Sequence, residues 1–281
     1  MSVVTRLMGR RPRRAALRWE TLHAARTSER PEGMADLIAR RTDGFTVTGV
    51  FTEAECQAAI AEMRRHEHLP APFGSLLGMP LGRIGPDESR RAYLDDADRC
   101  RTIYERAFGV DPHTRVADAL GPMATVPLVA PSEDGRRYSA GHVRFWEPGQ
   151  GGLPAHAGNE FRDQLKDGAM RHLLTTTQVT DHMSYFVVLQ RAARGGTLSV
   201  YDLVWDDVQE TDQPWEDGTR DDSWFAEVPR LRLDPGPGDL IVFGGGWRWH
   251  RVDPLAGRRQ RVSYGGFCGP SQDGSELHFW A

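Results

Sequence analysis

Residues 237–250 read PGDLIVFGGGWRWH and carry the pattern that decides the fold: a turn, a short apolar run and a second turn before the next polar-apolar segment. An apolar run such as Leu240–Phe243 between Gly and Pro signals is typical of a buried strand. Short β-type runs separated by Gly/Pro turns continue through the chain after Arg137. The pattern predicts a mainly β protein with flanking helices (α+β), built on a double-stranded β-helix, the jelly-roll or cupin-like core.

The region ahead of this core is predicted to be largely helical. Gly44–Phe51 alternates as a strand, and Thr52 with Glu55 forms a capping box that opens an amphipathic helix to about His66. Further helices are expected over 96–108, 111–120 and, within the β region, 163–176. Their apolar stripes indicate packing against the β core.

A chain of 281 residues with 39% hydrophobic content can bury one sizeable core. We therefore expect a single domain over 1–281. Within it we expect three parts: a basic N-terminal extension (1–30), a helical flank with the first strands (31–125) and the β-helix core with the functional site (126–281).

Two histidines of the β region, His156 and His250, are candidate metal ligands. A non-heme Fe(II) oxygenase usually holds its ion with two histidines and one Asp or Glu, the first pair in the order His-x-Asp. Residues i and i+2 of a strand share a face, so both can bind one ion. Here position i+2 is Gly158, which offers no ligand and leaves a void that a halide anion could fill. The alternative is that Gly158 serves a tight turn.

A third element, Arg261-x-Ser263, follows His250 on the next predicted strand. The guanidinium fork of an arginine can bind the distal carboxylate of a small dicarboxylate in a bidentate manner. 2-Oxoglutarate is such a dicarboxylate. The alternative is an exposed strand arginine, as we expect for Arg258 and Arg259.

With these elements in place, the chain resembles the Fe(II)/2-oxoglutarate radical halogenases, in particular the freestanding group typified by the welwitindolinone-type indole alkaloid halogenase. The resemblance spans about residues 137–280. The segments that carry it are His156–Phe161, Ser184–Phe186, Gly195–Tyr201, Pro235–Asp239, His250–Val252, Gly265–Phe267 and Phe279–Trp280.

The resemblance implies iron ligands at His156 and His250, a halide position at Gly158 and a 2-oxoglutarate arginine at Arg261. It also matches Ser184 to a serine near the iron. The implied cofactors are Fe(II), 2-oxoglutarate, chloride and O2, and the implied reaction is oxidative chlorination of an unactivated aliphatic C–H in natural-product biosynthesis.

Two polar residues near these motifs are weaker candidates. Arg144 falls on a strand that lines the same cavity, so we expect a cosubstrate or anion contact, or else a strand-edge arginine. Asn159 could bond the cosubstrate or a metal-bound oxygen, or could simply form a local turn.

Two other functions stay open at this point. A hydroxylase would use the same iron with water or Glu160 in place of the halide. Glu160 lies at i+4 from His156, about 13 Å along a regular strand, and could bind the same ion only through a turn. A metal-free jelly-roll binding protein would use neither histidine as a ligand.

The substrate is expected to be a freestanding small molecule, and no carrier protein is clearly implied. We favour a purine nucleotide such as dAMP over an alkaloid, because arginines surround the iron motifs and could bind phosphate while tryptophans stack on the base. The candidate side chains are Arg136, Arg137, Arg191, Arg194, Arg248, Trp146, Trp205, Trp215 and Trp224.

Composition excludes several other classes. A net charge of −4 gives no general case for nucleic acid or an anionic membrane, and no apolar stretch is long enough for a membrane helix. Three cysteines without paired spacing and no credible signal peptide fit a reducing cytoplasm. An acidic, Trp-containing insertion over 206–224 is either a lid or a surface excursion.

Overall fold

The computed structural model describes residues 17–81, 90–149, 151–161, 170–208 and 223–281. Its α-helices are α1 (Gly33–Ile38), α2 (Glu53–Met63), α3 (Arg90–Phe108), α4 (Pro112–Leu120) and α5 (Met170–Thr176). Short 3-10 helices lie at Ala24–Glu29, Gly121–Met123, Gly158–Phe161, Trp205–Asp207 and Ser223–Glu227.

The strands of the described residues fall into two groups along the chain. Those before the His156 segment are β1 (Trp19–His23), β2 (Gly44–Thr48), β3 (Leu69–Ala71), β4 (Gly74–Leu77), β5 (Leu128–Val129), β6 (Ser132–Glu133), β7 (Arg136–Arg137) and β8 (His142–Trp146). Those after it are β9 (Met183–Gln190), β10 (Arg194–Gly195), β11 (Leu198–Val204), β12 (Arg230–Leu233), β13 (Leu240–Phe243), β14 (Arg248–Val252), β15 (Leu255–Ala256), β16 (Arg261–Pro270) and β17 (Leu277–Trp280).

Most of these strands join one large sheet. Its order is β1-β2-β13-β9-β16-β8-β4-β3, with β17 beside β16 and β5 beside β17. A smaller sheet has the order β12-β11-β14, and two short pairs, β10-β15 and β6-β7, complete the strands. The two main sheets form the double-stranded β-helix that the sequence pattern predicts.

Successive side chains along the strands of the large sheet point alternately to its two faces. One face packs against the helices and the other lines a cavity. On β16, Val262 and Tyr264 belong to the main hydrophobic core together with residues of α2, α3 and α4. Arg261 and Ser263 point the other way and line a cavity. The period of two along a strand thus places apolar residues under the helices and polar residues at the site.

The smaller sheet closes the other side of this cavity. Leu198 and Val200 of β11 pack against Ile241 and Phe243 of β13, so the inner faces of the two sheets meet. His250 lies on β14 of the smaller sheet and opposite Val200 in register. The cavity therefore opens between the two sheets, which is where a jelly roll can hold a small ligand.

The predicted helices of the flank are confirmed in the described residues. Thr52 caps α2, and the reciprocal bonds of a capping box with Glu55 are present. Asp111 caps α4 by accepting a hydrogen bond from the His113 amide. Helix α3 begins at Arg90, earlier than the expected residue 96.

The N-terminal part of the chain differs from expectation. We expected an extension over 1–30, but β1 pairs in parallel with β2, and the Trp19 indole donates a hydrogen bond of 3.0 Å to Thr46 Oγ1. Residues Trp19–His23 are therefore part of the large sheet, and residues 1–16 lie outside the described residues. Strands β2 to β4 lie in the 31–125 part, where the first strands were expected, and they join the same large sheet.

Two expectations fall wholly or partly outside the described residues. Residues 209–222, most of the acidic insertion, lie outside the described residues. The first part of the helix expected over 163–176 also lies outside them. Helix α5 corresponds to the end of that helix. No helix in the described ranges has the length and apolar character needed to cross a membrane.

Candidate metal centre

The backbone brings His156 and His250 together. The His156 amide donates to the His250 carbonyl at 2.9 Å and the His250 amide donates to the His156 carbonyl at 2.8 Å, forming an isolated antiparallel bridge. The two imidazole centroids lie 4.2 Å apart with 51° between the ring planes. Both rings line the same cavity. The peptide backbone itself thus pairs the two predicted ligands.

Hydrogen bonds set the tautomer of each ring. His156 Nδ1 lies 2.8 Å from the Pro154 carbonyl oxygen, and His250 Nδ1 lies 2.9 Å from that of Arg248. A carbonyl oxygen can only accept, so Nδ1 carries the proton and Nε2 carries the lone pair. This is the arrangement that orients metal-binding histidines.

Burial keeps His250 neutral. Loss of solvation lowers the pKa of His250 well below its usual value, and electrostatic repulsion between the His250 and His156 rings lowers it further. A metal ion binds only the neutral imidazole, so the surroundings of His250 favour the form that can act as a ligand.

Gly158 does not lie on a strand as expected. It begins the 3-10 helix Gly158–Phe161, and its amide donates to the Gly245 carbonyl at 2.8 Å. The space into which a side chain at this position would project is occupied, since a Cβ would overlap with Cε1 and Nε2 of His182. The argument from strand alternation was therefore wrong in its geometry, because the chain turns directly after the first histidine.

This turn also contains Glu160, which our alternative placed in the metal site. Glu160 does not line the cavity. Across the described residues, no three His, Cys, Asp or Glu side chains are grouped so that they could hold a metal ion. The two histidines thus form a pair to which the described chain adds no carboxylate.

Asn159 is engaged away from the cavity. Its amide nitrogen donates to Asp181 Oδ1 at 2.6 Å, and its amide oxygen accepts from the Asp181 backbone amide at 2.9 Å. Asn159 is buried and does not line the cavity. Of the two expected roles, the contact with cosubstrate is therefore wrong, and the side chain instead fastens the turn to the segment before β9.

Arg261 is a buried cation in the cavity wall. It donates to Ser263 Oγ at 3.1 Å, and its guanidinium lies 5.1 Å from the centroid of the Phe186 ring. Among the described residues no carboxylate pairs with it. Burial, with a smaller effect of the Arg144 charge, lowers the pKa of Arg261 to about 10. A buried cation of this kind is stabilised by an anionic ligand.

The two remaining predicted residues also line the cavity. Arg144 of β8 lies opposite Ser263 in register, donates to the Pro72 carbonyl at 3.2 Å and stacks on Trp146. Ser184 of β9 lies opposite Phe243. The structure thus brings His156, His250, Gly158, Ser184, Arg144, Arg261 and Ser263 to one cavity.

The cavity has a volume of about 600 Å³ and is lined mainly by apolar and aromatic side chains. Those on its walls include Leu81, Trp146, Leu153, Phe161, Phe186, Phe243, Phe267 and Trp280. Sequence reasoning missed two histidines of the lining, His142 and His182, and the imidazole of His182 adjoins Gly158. A signal was present, since His182 lies two residues before Ser184 and could share its face.

The side chains of this cavity fit iron and 2-oxoglutarate. Two neutral imidazoles with Nε2 lone pairs suit a divalent iron ion. The buried Arg261 with Ser263 suits the carboxylate of a cosubstrate. Both groups line the one cavity, as a dicarboxylate that chelates the ion requires.

Comparison with known proteins shows the family of the chain. A family model described as carrier-protein-independent halogenase WelO5 matches residues 16–281. No curated protein sequence matches the chain.

Solved structures give similar folds at low sequence identity. An N-substituted L-amino acid dioxygenase from Burkholderia ambifaria AMMD has a TM-score of 0.55 and 14% identity, covering 92% of this chain and 91% of its own. The same dioxygenase in complex with alpha-KG has a TM-score of 0.50 and 14% identity, covering 89% and 90%. A 2OG-Fe(II) oxygenase family oxidoreductase from Burkholderia pseudomallei has a TM-score of 0.45 and 16% identity, covering 84% and 88%. At these identities the likeness concerns the fold.

Proposed function

The chain belongs to the family of the carrier-protein-independent halogenase WelO5, an oxidoreductase of the Fe(II)/2-oxoglutarate class, and from this membership we propose that it chlorinates an unactivated aliphatic carbon of a freestanding small molecule. The cofactors are Fe(II), 2-oxoglutarate, O2 and chloride. The family description supports a substrate that is not tethered to a carrier protein. We assign the reaction to natural-product biosynthesis.

One observation carries the proposal. His156 and His250 are paired beside Gly158, and the described residues supply no third His, Cys, Asp or Glu to complete a metal site. An oxygenase of this class that hydroxylates usually has a carboxylate there. With two neutral ligands, the site lacks one negative charge, which chloride can supply.

Each residue has a distinct task in this reaction. When bound, iron with 2-oxoglutarate and O2 would supply the oxidant that removes a hydrogen atom, and a chlorine atom derived from bound chloride would be transferred to the carbon, with one electron returned to the iron. His156 and His250 hold the ion through Nε2. Arg261, supported by Ser263, binds the distal carboxylate of 2-oxoglutarate and fixes its orientation. Ser184 and Arg144 complete the polar wall next to them.

The cavity favours a substrate with an apolar body. Our preference for a purine nucleotide depended on arginines near the iron motifs, and none of those five lines the cavity. Arg136, Arg191 and Arg248 instead form ion pairs with carboxylates elsewhere. Aromatic walls can stack on a purine or pack against an alkaloid, but among the described residues Arg144 and Arg261 are the only arginines of the cavity lining that a phosphate could bind. We therefore propose an alkaloid-like substrate ahead of a nucleotide.

Thermal stabilisation separates the two substrate classes. The protein loaded with metal and 2-oxoglutarate is heated with dAMP or with an indole alkaloid at equal concentrations. The proposal expects a rise in Tm with the alkaloid and none with dAMP. A rise in Tm with dAMP and none with the alkaloid would instead favour a nucleotide substrate.

The hydroxylase remains the second candidate because of one observation. Residues Gly158–Phe161 form the kind of turn through which Glu160 could approach an ion held by His156. In that reaction water or Glu160 would take the place assigned to chloride.

A chloride titration tests the proposed function. Chloride is added anaerobically to the Fe(II)/2-oxoglutarate protein while the metal-to-ligand charge-transfer band is followed. We expect a saturable shift of the band, whereas a sulfate salt at equal ionic strength gives none. A band that ignores chloride would support the hydroxylase, and failure to form the band would overturn the iron assignment itself.

A further inference from the structure

The most unusual neighbour of Gly158 is His182, which no motif singled out. Its imidazole is 5% exposed and lines the cavity at the position where a side chain on residue 158 would project. In the described residues its Nε2 atom is buried and has no hydrogen-bond partner. Its Nδ1 donates to the Val179 carbonyl at 2.9 Å.

The imidazole cannot easily turn away from Gly158. The Nδ1 bond to Val179 fixes one edge of the ring, and Phe267 packs against it in an edge-to-face contact at 4.9 Å between centroids. Trp280 makes a second edge-to-face contact at 6.2 Å. Rotation of the ring would break the hydrogen bond and disturb both aromatic contacts.

The backbone segments that carry His182 and Gly158 are also held in place by hydrogen bonds. The Gly246 amide donates to the His182 carbonyl at 2.7 Å, and the Asn159 amide donates to the Gly246 carbonyl at 2.8 Å. Asn159 is bonded twice to Asp181, the residue before His182. The turn that carries Gly158 and the segment that carries His182 therefore cannot separate without losing several hydrogen bonds.

We propose that His182 is the specificity-determining residue that excludes a side chain, and hence a carboxylate ligand, from position 158. The inference rests on the proposed function, because it concerns the position next to the iron that chloride would take. Its consequence is that Gly158 and His182 act as a pair. An aspartate at 158 requires a small residue at 182, so the substitution Gly158→Asp alone does not create a three-ligand site.

A double-mutant cycle tests this pairing. Gly158→Asp, His182→Ala and the double variant are compared with the wild-type protein for Fe(II) stoichiometry, Fe(II) affinity and the 2-oxoglutarate charge-transfer band. We expect at least a tenfold loss of Fe(II) affinity in Gly158→Asp and recovery of stoichiometric binding in the double variant. The band of the double variant should not respond to chloride, since the carboxylate occupies that position.

A control variant tests whether extra space elsewhere in the cavity is enough to restore Fe(II) binding. Leu198→Ala enlarges another wall of the same cavity, from the smaller sheet. Combined with Gly158→Asp, it should not restore Fe(II) binding. Binding of Fe(II) by Gly158→Asp alone as tightly as by wild type would overturn the proposal, and so would a double variant that binds no better than the single one.

A second pair of variants measures the steric conflict without any ligand chemistry. Gly158→Ala adds only the Cβ atom, and overpacking of this kind should lower Tm by roughly 3–8 °C. His182→Ala in the same chain should remove most of that loss. If Gly158→Ala melts at the wild-type temperature, the conflict does not exist.

These results are separable from the proposed function. Should the wild-type band ignore chloride, the halogenase assignment fails, while the melting of the Gly158→Ala pair still reports on the contact with His182. Should the band respond to chloride but the Gly158→Asp variant bind Fe(II) normally, the halogenase assignment stands and the role of His182 is rejected.

Discussion

At the scale of single residues, charge and burial explain why a few side chains define the cavity. Arg261 is 5% exposed, and its contacts are a hydroxyl and aromatic rings rather than a carboxylate. Its guanidinium matches a carboxylate in a bidentate geometry that an ammonium group cannot reproduce. The role proposed for Arg261 therefore depends on the shape of its side chain as well as on its charge.

We expect Arg261→Lys to weaken 2-oxoglutarate binding by about 10–100-fold, because one bidentate, charge-assisted contact is lost. Titration of the charge-transfer band with 2-oxoglutarate measures this affinity. Arg259→Lys, on the exposed segment before β16, is the control and should bind as wild type does. Equal affinities of the two variants would contradict the assignment of Arg261.

Glu160 allows a second test at this scale. Because Glu160 does not line the cavity, we expect Glu160→Gln to keep both Fe(II) stoichiometry and the chloride response. Metal analysis and the chloride titration check this. Loss of iron, or a chloride response that appears only in the variant, would mean that Glu160 is a ligand and would favour the hydroxylase.

The sequence identified residues whose proposed role follows directly from the chemistry of the side chain. His156, His250 and Arg261 were predicted from what an imidazole or a guanidinium can bind, and they do share a cavity. His182 and the true partner of Asn159 were missed because their roles arise from contacts between segments. Neither the overlap of His182 with a side chain at 158 nor the pairing of Asn159 with Asp181 has a local signature.

At the scale of elements, the 3-10 helix Gly158–Phe161 is the part that differs most from expectation. Its amides bond to Gly245 and Gly246 rather than to a neighbouring strand of a regular ladder. Asn159 fastens it to the segment that leads into β9. His156, the first proposed metal ligand, thus lies between a short β-bridge and a turn that hydrogen bonds hold in place.

We expect Asn159→Ala to destabilise the protein by about 1–3 kcal/mol, since two hydrogen bonds of a buried amide are removed. Fe(II) affinity should fall several-fold because the turn next to His156 loosens, while 2-oxoglutarate still binds at Arg261. Chemical denaturation and Fe(II) titration measure the two effects. Gln57→Ala, an exposed amide on α2, is the control. An Asn159→Ala protein with wild-type stability would argue against the fastening role.

The helices and strands that could be predicted were those with a local sequence signal. The capping box of Thr52 and Glu55 placed the start of α2, and the apolar run Leu240–Phe243 placed β13. Strand β1 was not predicted, because its pairing is parallel, its partner β2 lies beyond an intervening helix, and its residues lack a clear alternation. Such pairings depend on tertiary packing more than on sequence pattern.

At the scale of the whole molecule, burial of neutral histidines links stability to pH. Burial lowers the pKa of both His250 and His182 from the usual value. The unfolded chain therefore binds more protons than the folded one below about pH 6.5, and stability falls as the pH is lowered through that range.

We expect the metal-free protein to lose stability between pH 7.5 and pH 5.5, with His250 contributing about 1 kcal/mol of the loss. His250→Gln should reduce the difference between the two pH values by about that amount. Urea denaturation at both pH values, with chelator present, measures it. An unchanged difference in His250→Gln would mean that His250 is protonated in the folded protein.

The two backbone hydrogen bonds between His156 and His250 also bear on the order of folding. They join segments that are far apart in the sequence, and contacts of this kind form late, after the intervening chain has been ordered. An ion in solution therefore meets both imidazoles only on molecules whose two sheets have already assembled. Under the proposed function, iron held by both rings would therefore report on folded molecules, because a chain whose sheets have not assembled offers the two imidazoles only separately.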